Sequence, residues 1–262
     1  MRNISEKKRI VIKLGTSTLA YSTGKLNIRR MTNLVRVISD LHNSGREIIM
    51  VSSGAVGLGA GKLGLSRKPK DTRMKQAVAA VGQCELMHIY DDMFEKYSVT
   101  VAQILLTKTI INNHGHCDNF KNTVESLISM GVIPIINEND TIAIDELELE
   151  IGENDSLSAL VAELVEADLL LILSDIDALY DDNPRINPDA KPITYVEKIT
   201  PEIEKVAGGA GSNLGTGGMS TKINAGKIAA AAGIEMVIMN GKNPDMLYDL
   251  FEDKELGTFF KA

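Results

Sequence analysis

Short runs of β-branched and leucine residues alternate along the chain with longer stretches whose apolar residues recur every three or four positions. The short runs predict buried β-strands, and the longer stretches predict α-helices. The predicted strands cover residues 9–14, 47–51, 100–106, 132–136, 168–173 and 235–239. The predicted helices cover residues 28–42, 71–97 with a break at Gly82 left open, 119–130, 157–165 and 223–232. This alternation favours an α/β protein, a three-layer α/β/α sandwich with a mostly parallel central sheet.

Composition and charge narrow the choice of function. The 262 residues are 44% apolar and 24% charged, as in ordinary globular proteins. We expect a single domain over residues 1–262, with a weak division near residue 174. The formal net charge of −7 argues against a nucleic-acid partner that is bound by bulk phosphate attraction. It also means that an anionic substrate needs lysines placed locally to receive it.

The cysteines, the histidines and the hydropathy of the chain argue against a CxxC site, a zinc site, a membrane span and a signal peptide. The two cysteines form no CxxC pair, and the four histidines show no zinc spacing. The apolar runs are too short to cross a bilayer, and the first nine residues lack the apolar core of a signal peptide. We therefore expect a cytoplasmic enzyme that has no membrane partner.

Polar and glycine-rich segments follow the predicted strands, where open α/β sheets bind their ligands. The most informative is the glycine-rich stretch that leads through Lys222 into the last predicted helix. Backbone N–H groups, a helix N-terminus and a lysine together suit a polyphosphate, although a flexible surface loop is the plainer alternative. The segment is not a Walker A loop, because the chain contains no GxxxxGK[ST] string.

Three further segments have two readings each. Lys13 and Gly15 end the first strand as a second phosphate cradle, which is a weak signal by itself. The turn at residues 53–55 could hold a carboxylate through its N–H groups, or Ser52 or Ser53 could simply cap a helix. The polar residues at 137–140 and 154–155 could bind an ammonium group and orient lysines, or form turns and cap a helix.

Six segments in order resemble the amino acid kinase family, and within it the branch that phosphorylates free glutamate. They are KLGTS at 13–17, VSSGA at 51–55, PIINEND at 134–140, GENDSLSAL at 152–160, LSDIDALY at 173–180 and GTGGMSTK at 215–222. Thr16 stands where relatives acting on N-acetylglutamate or aspartate carry a second glycine, and Ser174 replaces a common threonine. Many members continue into a C-terminal PUA domain. This chain stops where that domain would begin, which leaves a natural short form and a truncated chain as the two interpretations.

The resemblance implies a role for each matching residue. Glutamate would be bound by Ser53, Gly54, Ala55, Asn137, Asp140 and Asn154, within a part of the chain that covers about residues 1–173. ATP would be bound by Gly15, Ser174, Asp175, Thr216, Gly217, Gly218, Met219, Ser220, Thr221 and Lys222, mostly within residues 174–262. Lys13 and Lys222 would flank the transferred phosphoryl group, and Asp155 would hold both lysines in place.

The implied reaction is ATP-dependent phosphorylation of the γ-carboxylate of L-glutamate, the first step of proline synthesis. That carboxylate, whose ordinary pKa is about 4.3, is already ionised at neutral pH, so no general base is needed. Mg²⁺ would bridge phosphate oxygens, and we assign it no protein ligand. The resemblance also implies homo-oligomers, feedback inhibition by proline and a glutamyl phosphate reductase partner. Kinases of aspartate, acylated glutamate or nucleoside monophosphates, and a non-catalytic amino-acid sensor, remain as alternatives.

Overall fold

The computed structural model describes residues 2–21, 25–65, 67, 69–107, 114–142, 154–184, 186–207 and 218–262. Its strands are β1 (Arg9–Leu14), β2 (Glu47–Ser52), β3 (Val101–Leu106), β4 (Ile133–Glu138), β5 (Leu169–Ser174), β6 (Leu179–Tyr180), β7 (Pro192–Ile193), β8 (Tyr195–Val196), β9 (Glu235–Asn240) and β10 (Thr258–Phe260). Eight of these described strands form one sheet in the order β3-β4-β2-β1-β5-β9-β10-β8, and β6 and β7 pair separately. Only the β9–β10 pairing in the large sheet is antiparallel, so the prediction of a mostly parallel sheet is confirmed.

Helices cover both faces of this sheet. They are α1 (Thr16–Leu19), α2 (Ile28–Asn43), α3 (Ala55–Lys62), α4 (Thr72–Glu95), α5 (His114–Ser129), α6 (Asn154–Leu164), α7 (Pro201–Ala207), α8 (Met219–Ala231) and α9 (Met246–Phe251), after a 3₁₀ turn at Ile4–Glu6. None of the described helices is both long and apolar enough to cross a bilayer.

The structure settles the open question at Gly82 and moves the starts of three predicted helices. Helix α4 continues through Gly82 without a break. Helices α5, α6 and α8 begin at His114, Asn154 and Met219, a few residues before the predicted starts at 119, 157 and 223. In these cases the residues before the predicted start are mostly polar, so the apolar periodicity begins later than the helix does. A small hairpin predicted over residues 141–153 lies almost wholly outside the described residues.

The alternation of side chains along β1 divides the core in two. Ile10, Ile12 and Leu14 belong to one buried cluster, which they share with α2, α4 and α9. Val11 belongs to the other cluster, which the strand shares with α5, α6, α7 and α8. Because successive side chains of a strand point to opposite faces, Lys13 lies on the face that α6 and α8 cover.

Helices α3 and α4 pack so closely that their backbones meet at glycines. A Cβ atom built on Gly82 would overlap the carbonyl group of Ala55 and lie 2.6 Å from the Gly59 nitrogen. A Cβ on Gly59 would in turn overlap the carbonyl group of Val78. This contact fixes the middle of α4 against the turn that follows β2.

We expect Gly82→Ala to lower the free energy of unfolding by about 3 kcal/mol or more, because the two helix backbones must separate. For a domain of this size, that loss lowers the melting temperature by roughly 6–12 °C, measurable by thermal or denaturant unfolding.

Gly226→Ala in α8 is the matched control. A Cβ there meets the end atoms of flexible side chains, Met236 Cε at 2.8 Å and Ile199 Cδ1 at 3.0 Å. Because those groups can rotate and alanine favours the helix, we expect a change within about 1 kcal/mol. Equal losses in the two variants would contradict the packing argument.

Candidate active site

Four neighbouring strands, in the order β4-β2-β1-β5, carry the predicted site residues to one edge of the sheet. Lys13 and Gly15 lie at the end of β1, and the turn at residues 53–55 follows β2. Residues 137–140 end β4, and Ser174 and Asp175 end β5. The structure therefore places these segments side by side, as the parallel sheet predicts.

Lys13, Asp155 and Lys222 form a buried cluster of charges, which we call the charge triad. The Nζ atom of Lys13 lies 2.6 Å from Oδ1 of Asp155, and Nζ of Lys222 donates to Oδ2 at 3.0 Å. Asp155 has no exposed surface, and the two lysines are 8% and 5% exposed. Two ammonium groups against one carboxylate leave the triad with one net positive charge, which can receive an anion.

The side chains of the charge triad come from β1 and from the starts of two helices. Asp155 is the second residue of α6, and Lys222 is the fourth residue of α8. Asp155 thus lies in the first turn of its helix rather than before it, where the macrodipole favours a carboxylate. Thr221, also in the first turn of α8, donates to Oδ2 of Asp155 at 2.9 Å and lies as close to the Gly218 carbonyl oxygen.

The charge state of Asp155 follows from two opposed effects. Burial by itself would raise the pKa of Asp155, because it penalises the charged form. The Lys13 and Lys222 ammonium groups outweigh burial and hold that pKa at about 2. Asp155 is therefore ionised at neutral pH and does not act as a proton acceptor there.

A chain of side-chain amides, which we call the amide relay, begins beside the triad. Nδ2 of Asn154 donates to the Ser52 carbonyl oxygen at 2.9 Å and to Oδ1 of Asn137 at 3.0 Å. Nδ2 of Asn137 donates to Oε1 of Gln83, on α4, at 2.8 Å. These hydrogen bonds join the start of α6 to β4, and β4 to α4.

Ser52 does not cap a helix. Its hydroxyl group lies 2.8 Å from the Tyr90 hydroxyl group and is fully buried. The residue before α3 is Gly54, in the left-handed region at φ 109°, so no side chain caps that helix. The capping alternative for Ser52 and Ser53 is therefore wrong. The Ser53 N–H group donates to the Leu14 carbonyl oxygen at 3.1 Å, so Gly54 and Ala55 supply the N–H groups that this turn can offer to a ligand.

Sequence reasoning missed Gln83 and Tyr90. Both lie on the buried face of α4, where Val78, Ala79 and Leu86 supply the apolar positions. A glutamine within such an apolar stripe is the signal that could have identified the first of them, because a buried amide requires partners.

Asp140 lies in the turn after β4, where the Ile142 N–H group donates to the Asn139 carbonyl oxygen at 3.1 Å. It is only partly exposed. Burial raises the pKa of Asp140, and the neighbouring Glu138 adds to the effect, so that it reaches about 6. A carboxylate in this state gains from a cationic ligand, which would favour its ionised form.

The residues predicted to bind the nucleotide are only partly described. Gly15 precedes the short helix α1. Ser174 is the last residue of β5, the direct neighbour of β1, and Asp175 follows it. Gly218 precedes α8, whose first turn contains Met219, Ser220, Thr221 and Lys222. Thr216 and Gly217 lie outside the described residues.

Comparisons with known proteins agree on one family. Residues 8–240 match the model of the amino acid kinase family. The chain is 54% identical over 261 residues to a glutamate 5-kinase of Clostridium perfringens, which covers 99% of this chain and 97% of that protein. It is 49% identical over 262 residues to a glutamate 5-kinase of Listeria monocytogenes, covering 99% and 95% of the two.

Solved structures show the same fold at much lower identity. A carbamate kinase of Giardia lamblia bound to AMP-PNP matches with a TM-score of 0.67 at 15% identity, over 98% of this chain and 99% of that one. A UMP kinase of Ureaplasma parvum matches with a TM-score of 0.66 at 15% identity, over 98% and 100%. At these identities the likeness supports the three-layer architecture alone.

We expect Asp155→Asn to lower the free energy of unfolding at pH 7 by about 3–5 kcal/mol, because two buried ammonium groups lose their counter-ion. The folded-state pKa of Asp155, about 2, lies below the unfolded value near 3.8. Its ionisation therefore stabilises the fold above about pH 4, and that stabilisation is lost as the pH falls towards 2.

The measurement is denaturant unfolding of both proteins at several pH values. The difference between them should shrink by about 2 kcal/mol as the pH falls through this window. Asp168→Asn is the control, since Asp168 accepts from the backbone N–H groups of Lys8 and Arg9 at an exposed site. A stability difference at Asp155 that does not change with pH would contradict the assigned charge state.

Proposed function

The chain belongs to the amino acid kinase family and, within it, to the glutamate 5-kinases, and from that premise we propose what its site does. The γ-carboxylate of L-glutamate attacks the terminal phosphorus of ATP and yields γ-glutamyl phosphate and ADP, the reaction that opens proline synthesis. The observation that carries the proposal is the charge triad, in which Lys13 and Lys222 converge on Asp155 at the edge of the sheet.

The reaction needs charge neutralisation more than proton transfer. One oxygen of the glutamate γ-carboxylate forms a bond to phosphorus as the bond between phosphorus and the ADP oxygen breaks, so no proton moves. The difficulty is that an anion must approach a polyanion. Lys13 and Lys222 offset that repulsion by stabilising the transferred phosphoryl oxygens and the departing phosphate, as preorganised cations do in phosphoryl transfer.

Asp155 acts as the positioning group for both lysines. Each of its two carboxylate oxygens contacts one ammonium group, so the two cations are held at a fixed separation before substrate arrives. With a pKa of about 2 it remains ionised throughout and takes no proton from the substrate. Preorganisation of this kind avoids a reorganisation cost in the transition state.

Glutamate is bound on the β2 and β4 side of the triad. Asp140 pairs with the substrate ammonium group, which its raised pKa supports. Asn137 and Asn154, already joined at 3.0 Å, line the same side. Gly54 and Ala55 present backbone N–H groups after β2, because no side chain caps α3.

The nucleotide is bound on the β5 and α8 side. Gly15, Ser174, Asp175 and the first turn of α8 would contact ATP, and the helix start favours its phosphate groups. Residues 174–262 thus supply most of the nucleotide side and residues 1–173 the glutamate side.

Mg²⁺ would accompany ATP and neutralise phosphate charge. Within the described residues no group of three or more His, Cys, Asp or Glu side chains is placed to hold a metal ion. Both oxygens of Asp155 are occupied by ammonium groups. These residues fit an ion that phosphate oxygens and water hold.

Other features of the family extend the proposal. We expect a homo-oligomer in the cytoplasm, feedback inhibition by proline at or near the glutamate site, and a reductase that consumes the labile acyl phosphate.

Hydroxylamine trapping tests the reaction directly. We expect the protein with ATP, Mg²⁺ and L-glutamate to form γ-glutamyl hydroxamate. Lys222→Met should lower kcat by about 100- to 1000-fold, the effect of removing one preorganised donor worth about 2.7–4 kcal/mol.

Lys227→Met is the matched control on the same helix. Lys227 pairs with Glu204 at 2.7 Å on the exposed surface, so we expect it to leave kcat unchanged. Trapped product from aspartate in place of glutamate, or ADP release without any hydroxamate, would overturn the proposed reaction. Normal turnover by Lys222→Met would remove that lysine from the mechanism.

The pH dependence of glutamate binding tests Asp140. Because the substrate ammonium group pairs with ionised Asp140, whose pKa is about 6, protonation below that pH weakens binding. We expect KM for glutamate to rise about tenfold between pH 7 and pH 5, while KM for ATP changes little.

The control variant is Asp140→Asn, which cannot ionise. It should show a raised KM for glutamate that stays flat over the same interval. A wild-type KM for glutamate that is also flat from pH 7 to pH 5 would remove Asp140 from the ammonium site.

A further inference from the structure

Gln83 carries a buried donor that nothing in the described part of the chain satisfies. Its side chain is 8% exposed, and its Nε2 atom is buried without a hydrogen-bond partner among the described residues. A buried amide nitrogen without a partner costs free energy, so such atoms are uncommon in folded proteins. Its position beside the glutamate side of the site suggests that a ligand is its missing partner.

The backbone N–H group of Glu138 determines the orientation of the Gln83 amide, because it fixes which atoms of Asn137 and Gln83 are oxygens and which are nitrogens. The Glu138 N–H group can only donate, so the atom of Asn137 that receives it at 2.9 Å is an oxygen. The other amide atom of Asn137 is then a nitrogen, which donates to Gln83. The atom of Gln83 that receives this bond is its oxygen. Nε2, with two N–H groups, is the atom left without a partner.

Two contacts place Gln83 beside the segments of the proposed glutamate pocket. Gln83 bonds directly to Asn137, at the end of β4. The preceding residue, Gly82, touches the backbone of Ala55, in the turn that follows β2. Gln83 therefore lies between two segments that the proposed function assigns to glutamate.

Gln83 is the member of the amide relay that is farthest along it from the charge triad. Asn154 is adjacent to Asp155 in sequence, Asn137 comes next along the relay, and Gln83 is its last member. The γ-carboxylate must meet the transferred phosphoryl group between the lysines, and the ammonium group is assigned to Asp140. The third polar group of glutamate is its α-carboxylate. With the other two groups assigned, it is the one left to face Gln83.

We infer that Gln83 is a substrate-binding residue, whose Nε2 group donates a hydrogen bond to the α-carboxylate of glutamate. This inference rests on the proposed function and adds to it a determinant of substrate choice. A neutral amide that donates two N–H groups distinguishes a free α-carboxylate, which only accepts, from an α-carboxamide, which also presents N–H donors.

The test replaces the hydrogen-bond donor of Gln83 by an acceptor, and it replaces the α-carboxylate of the substrate by a group that can donate. Gln83→Glu keeps an oxygen for Asn137 and replaces the Nε2 donor by an acceptor. At pH 8 we expect KM for L-glutamate to rise about ten- to a hundredfold, the effect of losing a hydrogen bond to a charged group. KM for ATP should stay within about twofold, because the nucleotide lies on the other side of the triad.

The second substrate is glutamate α-amide, which keeps the γ-carboxylate acceptor and replaces the α-carboxylate by a carboxamide. We expect the ratio of kcat/KM for glutamate to that for the α-amide to fall at least about tenfold in Gln83→Glu, because the new carboxylate accepts from the carboxamide. Where turnover of the α-amide is too slow, its inhibition constant against glutamate gives the same comparison.

Two further variants separate binding from folding. Ala77→Glu adds the same charge to an exposed position of α4 and should leave both KM values and the substrate ratio unchanged. Gln83→Met removes the donor without adding charge, and should raise KM for glutamate while thermal unfolding shows a folded protein.

The test of Gln83 and the test of the proposed reaction can be distinguished by their results. Wild-type formation of γ-glutamyl hydroxamate establishes the reaction whatever the Gln83 variants do. With that reaction present, a glutamate KM within about twofold of wild type in both Gln83 variants overturns the inference. An unchanged substrate ratio overturns the assignment of Gln83 to the α-carboxylate.

Discussion

One buried carboxylate holds two buried ammonium groups at the edge of the sheet, and the rest of the site depends on this contact. Removing Asp155 would leave Lys13 and Lys222 as uncompensated charges in the interior, which is far more costly than losing a surface ion pair. Because one carboxylate offsets only one of the two cations, the pair keeps an attraction for anions within a protein whose net charge is −7. Stability and the attraction for anions therefore arise from the same three side chains.

The first two residues of α6 serve the two sides of the site. Asp155 contacts the lysines of β1 and α8, and Asn154 contacts the carbonyl oxygen of Ser52 and the amide of Asn137. A small shift of this helix start would therefore move the cations and the amide relay together. Such coupling keeps the proposed phosphoryl-transfer groups and the proposed glutamate pocket in a fixed relation, which in-line transfer requires.

Much of the fold could be predicted because strand periodicity is local. The six predicted strands all appear in the central sheet, and the parallel order follows from their alternation with helices. The starts of α6 and α8 could not be predicted from apolar spacing, because polar residues that bind one another predominate in their first turns. These are also the turns that contain Asp155 and Lys222, so the pattern was least informative where the chemistry lies.

By itself the sequence determined which charged groups are available, since its motifs identify Lys13, Asp155 and Lys222, and it determined that an acidic protein must concentrate its cations locally. Only the tertiary structure decided their separation, their burial and the depressed pKa of Asp155, because these depend on strands and helices that are distant along the chain. The role that we infer for Gln83 likewise depends on the tertiary structure. A glutamine on a helix is an ordinary residue in sequence, and it acquires a directed donor only where Asn137 fixes its oxygen and Gly82 brings its helix against the turn at Ala55.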